Sequence, residues 1–186
     1  SLKAGGVDVV VVGDGASDRI SVAAANTLIG NSEVGDVYAR IGDTAASALL
    51  DLTLDNNDAH RQYYGITVSG ANSDGVVSAD SLNAIADRTQ LKVVVAAASV
   101  EGSSNAVDAV LDDVVFGTAA VVVNASDTIS VAQANAIDGA TAGRVYARLG
   151  DTAASALLGL ATEGGSEQAE YYTIAVGDAV VSADSL

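Results

Sequence analysis

The chain lacks cysteine, proline, methionine and tryptophan throughout its 186 residues. The absence of cysteine excludes disulfide bonds, thiolate metal ligands and a cysteine nucleophile. Proline usually supplies about 5% of a protein, so a chain of this length without any proline is unusual. Aromatic side chains are also scarce, with six Tyr and one Phe. The apolar residues are therefore mostly Val, Ala, Leu and Ile, whose small and β-branched side chains favour the regular backbone packing typical of repeats.

Basic residues are few, because 8 Lys and Arg stand against 24 Asp and Glu, for a formal net charge of −16. Such a surface repels nucleic acid, whose binding draws on Lys and Arg that neutralise phosphates. It also disfavours anionic membranes, and no apolar run approaches the ~20 residues of a membrane helix. We therefore expect neither nucleic-acid binding nor membrane insertion. An acidic surface attracts cations and suits a saline exterior, which favours an extracellular or cell-surface location.

A long internal repeat extends over the chain. Residues 37–52 (VYARIGDTAASALLDL) and 145–160 (VYARLGDTAASALLGL) are identical at all but two positions, and VVSADSL occurs at both 76–82 and 180–186. These matches predict a first long repeat over 1–125 and a second, truncated one over 126–186, together forming one continuous structural domain. Since the second copy stops where the first continues into a helix, we expect further repeats in a longer parent protein.

A shorter period lies inside the long one. Between the strand-like segments are short helix-like stretches rich in Ala and Leu, and a strand, a helix and a strand within ~27 residues imply parallel strands with helical crossovers. The sequence therefore predicts an α/β fold of tandem ~27-residue strand–helix units that form a solenoid with a parallel sheet. The strand centres are Val11, Ala39, Ile66, Val94, Val122, Ala147 and Ile174.

A doubly wound α/β sheet is the main alternative, and a β-sandwich with helical insertions is a third arrangement. A doubly wound sheet needs strands that are apolar on both faces. In residues 37–41, however, Val37, Ala39 and Ile41 point one way while Tyr38 and Arg40 point the other, and residues 145–149 and 171–176 alternate in the same manner. Residues 9–12, 93–95 and 121–123 are apolar on both faces, so both sheet arrangements stay open.

Several helix starts have a physical basis in the sequence. Serines that precede Ala-rich segments fit N-caps, whose hydroxyl accepts a hydrogen bond from an unpaired backbone N–H; they are Ser21, Ser78 and Ser130. Ser130 and Gln133 have the spacing of a capping box. We expect Asp43 and Asp151 to begin the two AASALL helices, where a carboxylate suits the positive end of the helix dipole. In these helices we expect Leu49 and Leu157 to be buried in equivalent environments.

Several segments resemble repeat arrays in very large secreted or cell-surface proteins of marine cyanobacteria and other aquatic bacteria. They are SADSLNAIADRTQLKVVVAAASVEGS, DTISVAQANAIDGATAG, DTAASALLGL and the strand YTIAV. The resemblance covers most of the chain and rests on composition and loose motifs without a catalytic signature. It implies an extracellular or cell-surface role in adhesion or motility, and it brings no active site.

Calcium is the best of the chemical options in the sequence. Asn72 and Asp74 lie in phase with the ligands of an EF-hand or dockerin loop, although Gly70 and Ser81 stand at its first and last ligand positions. The single histidine, His60, has no counterpart in the second repeat, so we interpret it as a loop residue rather than a catalytic one. The Val12–Gly15 glycine pattern lacks the third glycine of a dinucleotide site, so we interpret it as a turn.

The Tyr and Arg side chains on the polar strand face form the best candidate contact surface, since both types are enriched at interface hot spots. They are Tyr38, Arg40, Tyr146 and Arg148. Cross-strand packing that shields the sheet explains the same pattern equally well. The sequence thus predicts a structural or adhesive repeat segment of a giant extracellular or cell-surface protein. It has no catalytic role and no resident cofactor, and its partners are neighbouring repeats and extracellular glycans or surfaces. The alternative is a calcium-stabilised module that binds carbohydrates or surfaces.

Overall fold

The computed structural model describes residues 7–12, 18–30, 34–54, 61–70, 75–161 and 171–174. The strands are β1 (Val7–Val12), β2 (Val34–Arg40), β3 (Gln62–Gly65), β4 (Thr67–Val68), β5 (Val76–Ser78), β6 (Val93–Val95), β7 (Ser99–Gly102), β8 (Val114–Val115), β9 (Ala120–Val123), β10 (Val145–Arg148) and β11 (Tyr171–Thr173). The helices are α1 (Val22–Ile29), α2 (Ala46–Leu49), α3 (Ala79–Ala86), α4 (Ser104–Val110), α5 (Val131–Ala140) and α6 (Ala154–Leu157).

All pairings between these strands are parallel. They form three sheets with the orders β1-β2-β3, β4-β6-β8 and β11-β10-β9-β7-β5. Each order follows the chain in one direction, without the reversal of a doubly wound sheet. Since helices lie between the strands and parallel pairing requires crossovers, the protein belongs to the α/β class, as predicted.

A unit is defined here as one strand, or several consecutive strands, together with the helix that follows. Residues in equivalent strands of successive units pair at intervals near the predicted period, but the interval shortens in the middle of the chain. Val10 pairs with Val37, 27 residues further on. Val94 pairs with Val115 rather than with Val122 as the predicted period required, and Val122 pairs with Glu101. The prediction was wrong there because the middle units contribute two or three strands each, which lie in different sheets.

The predicted alternation of β2 is confirmed, since Val37, Ala39 and Ile41 are buried whereas Tyr38 and Arg40 are exposed. Strand β10 behaves in the same way. One hydrophobic cluster joins the buried strand residues to the buried helix residues. Residues 171–174 do not show the same burial pattern, because 46% of Ile174 is exposed. It follows β11, the last described strand of its sheet, with no described strand on the far side to cover it.

The serine N-caps are confirmed, and Ser130 and Gln133 form the predicted capping box. The expectation for Asp43 and Asp151 was wrong. Helices α2 and α6 begin after Ala45 and Ala153, which make no side-chain cap, because both carboxylates bond to another helix instead, as described below. None of the described helices is long and apolar enough to cross a membrane.

The environments of Leu49 and Leu157 differ, contrary to expectation. Leu49 in α2 is completely buried, because α3 of the following unit packs against α2. Leu157 occupies the same place in α6 but is only half-buried. Helix α6 is the last of the described helices, so no later one among them covers it. Burial of the same side chain thus depends on the unit that follows.

Candidate functional site

The aspartates of the repeated Asp-Thr dipeptides bond to the helix of the preceding unit. Each carboxylate accepts a hydrogen bond from the first backbone N–H of that helix, which has no partner inside the helix itself. A carboxylate at this end also interacts favourably with the helix dipole. The contacts are Asp43 Oδ2 with Val22 N (2.7 Å), Asp127 Oδ2 with Ser104 N (3.0 Å) and Asp151 Oδ2 with Val131 N (2.7 Å). These three carboxylates therefore hold successive units together.

A second contact of this kind recurs in both long repeats and uses an asparagine. The side-chain amide of Asn26 in α1 donates to the carbonyl of Asp51 (2.8 Å) and accepts from the N–H of Thr53 (2.8 Å). Asn135 in α5 binds the carbonyl of Gly159 (2.9 Å) and the N–H of Ala161 (2.8 Å). Each amide thus bonds to a backbone carbonyl and a backbone N–H, and it joins a helix to the segment that follows the next helix.

Arg88 joins the ends of two successive helices, a role that the sequence did not reveal. Its Nε donates to the carbonyl of Leu52 (3.0 Å) and its Nη2 to the carbonyl of Leu50 (3.0 Å), while its Nη1 donates to the carbonyl of Ala84. The carbonyls at the end of a helix lack partners inside it, and a guanidinium there complements the negative end of the helix dipole. Arg88 therefore fixes the end of α2 against α3.

Tyrosines on the outer faces of two of the sheets stack across neighbouring strands. The rings of Tyr38 and Tyr63 lie 4.3 Å apart with planes within 1° of parallel, and those of Tyr146 and Tyr171 lie 4.9 Å apart. The guanidinium of Arg144 lies 5.8 Å from the Tyr171 ring centroid, within cation–π range. Partial desolvation and the neighbouring hydroxyl of Tyr63 raise the pKa of Tyr38. We name this set the tyrosine face.

The predicted contact residues therefore lie where the alternation placed them, on the outward side of β2 and β10. The structure does not bring the two tyrosine pairs into one cluster, because they lie in different sheets. The rings pack across strands, as the cross-strand interpretation predicts, while 37% of Tyr38 and 50% of Tyr171 stay exposed. The role as a contact surface stays a prediction. The stacking partner Tyr63 was missed. Its position, 25 residues after Tyr38, was the available signal.

Tyr64, beside this face, points the other way and is fully buried. Its hydroxyl makes no hydrogen bond with any residue that the structure describes. Burial raises the pKa of Tyr64 to about 12, because the apolar core disfavours the phenolate. An unpartnered buried hydroxyl costs stability in the native state. The ionisation of Tyr64 therefore reports whether the core excludes solvent from this hydroxyl.

We expect the difference in unfolding free energy between the native chain and a Tyr64→Phe variant to change in alkali. The tyrosine ionises near pH 10 when unfolded and near 12 when folded. Its contribution is fully present below pH 10 and is lost as pH rises through 12, by about 2 kcal/mol at pH 12. Urea titrations of both proteins from pH 8 to 12 measure this, and parallel curves would show that the hydroxyl reaches solvent. At pH 7 the Phe variant should be at least as stable.

The predicted calcium ligands Asn72 and Asp74 lie outside the described residues, as do His60 and the Gly13-Asp14-Gly15 turn. Elsewhere, in the part of the chain that the structure describes, no three His, Asp or Glu side chains group closely enough to hold a metal ion. Calcium binding therefore stays a prediction.

Comparison of the chain with protein-family models, with curated proteins and with solved structures finds no match in any of the three.

Proposed function

We propose that this chain is a segment of an α/β solenoid and serves as a structural or adhesive repeat of a giant extracellular or cell-surface protein. It carries no catalytic role in this proposal. Neighbouring repeats are its first partners, and extracellular glycans or surfaces are its second.

The main observation behind the proposal is that the polar residues shared by both long repeats form hydrogen bonds between units. In a repeated enzyme domain, the polar groups kept in both copies would converge on one pocket. Here Asp43 and Asp151 bond to the helix of the preceding unit, and Asn26 and Asn135 bond to the backbone of the following one. Repeat proteins derive their stability from such contacts between nearest neighbours. The kept residues therefore support a role in stacking units.

The arrangement of the sheets supports a solenoid over a doubly wound sheet. A doubly wound sheet is covered by helices on both faces, yet apolar side chains on the outward face lie largely in solvent. The exposed fractions are 66% for Val11, 44% for Val94 and 45% for Val115. The sequential strand orders agree with a stack in which helices cover one side only.

The tyrosine face supports the adhesive part of the proposal. Each stacked pair places a flat, rigid aromatic surface on the open side of a sheet. Tyr is among the residue types that contribute most at interfaces, and it loses little conformational entropy when it binds. A face that recurs along a stack of units would give many weak contacts whose avidity exceeds that of each one.

The extracellular or cell-surface location rests on the net charge of −16 and on the resemblance to surface-protein arrays described above. A chain without cysteine keeps no redox-sensitive element, so it tolerates an oxidising exterior as well as a reducing one.

Mechanical unfolding of the whole 186-residue chain tests the solenoid, because stacked units should detach one after another from an end. We expect force–extension steps that each release one unit of 21 to 27 residues, as the strand pairings give. At ~3.5 Å per extended residue, each step is about 70–95 Å long. An Asp43→Ala/Asp151→Ala variant should keep the step lengths and unfold at lower force. Release of the whole described fold in one step would contradict stacking by units.

A further inference from the structure

A cavity on the outer sheet face gathers basic side chains in an otherwise acidic protein. Its volume is about 190 Å³, and three of its lining residues are Arg19, Arg40 and Lys92. The whole chain has 8 basic residues against 24 acidic ones, so this cavity holds three of the eight. The described residues that line it include no carboxylate.

The fold brings these cations together from three different units, and the unit between those of Arg40 and Lys92 adds Gly65, Ile66 and Thr67 to the wall. Arg19 precedes Ile20, which bridges to Ile41 next to Arg40 in β2, and Lys92 directly precedes β6. Arg40 pairs in register with Gly65 of β3. A Cβ at position 65 would lie 3.5 Å from the Arg40 side chain, so the glycine leaves the floor beside Arg40 open.

The rest of the wall is apolar. Leu91 and Val94 line the cavity, and each is 44% exposed. Burial of such surface by a ligand is favourable. A volume of about 190 Å³ exceeds that of an engineered cavity of ~150 Å³ that binds benzene, so it admits one six-membered ring. The tyrosine pair Tyr38–Tyr63 lies two residues back along the same strand faces.

Two residues that line this cavity differ at the matching described positions of the second long repeat. Thr128 stands where Arg19 does, since each contacts the glycine that follows the next strand, Gly150 or Gly42. Thr173 stands where Gly65 does, because it pairs with Arg148 as Gly65 pairs with Arg40. The scaffold contacts are thus common to both repeats, whereas Arg19 and Gly65 are replaced at the matching described positions of the second.

We propose that this cavity binds a sugar unit that carries a carboxylate, of the uronic acid class. Its carboxylate sits between Arg19 and Lys92, beside Arg40, and the apolar face of its ring packs on Leu91 and Val94. Guanidinium and ammonium groups give charge-assisted hydrogen bonds to a carboxylate. A single uronate unit fits better than a dense polyanion, which the surrounding acidic surface would repel. This deepens the adhesive part of the proposed function by naming its ligand class.

Calorimetric titration of the intact chain with methyl galacturonoside tests the proposal, with the neutral methyl galactoside and inorganic sulfate as comparison ligands. We expect binding of the galacturonoside that weakens as NaCl rises, and at least tenfold weaker binding of both comparison ligands. Equal binding of the neutral sugar would overturn the role of the cations. Equal binding of sulfate would overturn the assignment to a sugar, and no binding at millimolar concentrations would overturn the site.

Variants locate the binding. Arg19→Gln/Lys92→Gln should weaken it at least tenfold, while Arg148→Gln, which removes an equivalent charge outside the cavity, should change it less than twofold. Gly65→Thr installs the residue of the second repeat and should weaken binding at least fivefold, with an unchanged melting temperature because the added Cβ makes only ordinary contacts. Equal losses in the Arg148 variant would overturn the site. Stepwise mechanical unfolding of the cavity variants would show that the solenoid proposal stands apart from this result.

Discussion

Replacing Leu49 by Ala should lower the free energy of unfolding by about 2–5 kcal/mol, the usual cost of a large cavity in a core. Leu49 lies in α2 and is completely buried, because α3 of the following unit packs against α2. Replacing Leu157 by Ala should cost about 1 kcal/mol, the common value for a substitution outside the closed core, since Leu157 is half-buried.

The two positions form a matched pair. Both leucines follow the identical sequence AASA in a helix of the same length, so helix propensity and local sequence cancel in the comparison. Chemical denaturation of both variants at neutral pH measures the two losses. Equal losses would contradict the difference in burial, and a small loss at Leu49 alone would mean that the space left by its side chain collapses.

The α/β class could be predicted from sequence because two periodicities coincide. The alternation in residues 37–41 fixes the inward side of β2, and the Ala- and Leu-rich stretches between strands require crossovers. The buried Val37 and Ile41 and the exposed Arg40 follow directly from that pattern. Parallel pairing then follows from the length of the connections.

The pairing in the middle of the chain could not be predicted from the period alone. Strands β4, β5 and β8 have only two or three residues each, too few for an alternating pattern to show. The period therefore predicts that Val122 pairs with Val94, whereas it pairs with Glu101. Short strands are specified by their neighbours in space rather than by their own sequence.

The hydrogen-bond partners of polar side chains could not be predicted from the sequence either. Asp43 stands just before a helix, where local capping is the commonest role, yet its carboxylate reaches Val22, 21 residues earlier. The basic cavity was missed for the same reason, because Arg19, Arg40 and Lys92 are widely spaced in the chain and meet only when successive units stack. The available signal was the loss of Arg19 and Gly65 from the second repeat.

Thr89 shows how a side chain can take the place of a missing strand. Among the described strands, none pairs with β3 on the side away from β2, and the hydroxyl of the buried Thr89 bonds to both backbone groups of Tyr64. It accepts from the Tyr64 N–H at 2.9 Å and donates to the Tyr64 carbonyl at 2.8 Å. Thr141 uses its hydroxyl similarly, donating to the Ala119 carbonyl at 2.6 Å. Buried backbone groups need such partners.

Replacing Thr89 by Val should therefore lower the free energy of unfolding by about 2–4 kcal/mol. The change keeps the shape of the side chain but removes the hydroxyl, so the Tyr64 N–H and carbonyl lose this partner inside the core. Each buried group left unsatisfied costs about 1–3 kcal/mol. The Leu91 N–H, which also donates to this hydroxyl at 3.1 Å, adds little because Leu91 is largely exposed.

A Thr89→Ser variant is the matched control, since it keeps the hydroxyl and loses only a methyl group, at about 1 kcal/mol. Urea unfolding of the Val and Ser variants under the same conditions separates the hydrogen bonds from the packing. We expect the Val variant to be the less stable of the two, and hydrogen exchange at the Tyr64 amide to accelerate in it but not in the Ser variant. If the Val variant were as stable as the Ser variant, the hydroxyl would contribute no more than a methyl group, and the first long repeat would be held at this point by packing alone.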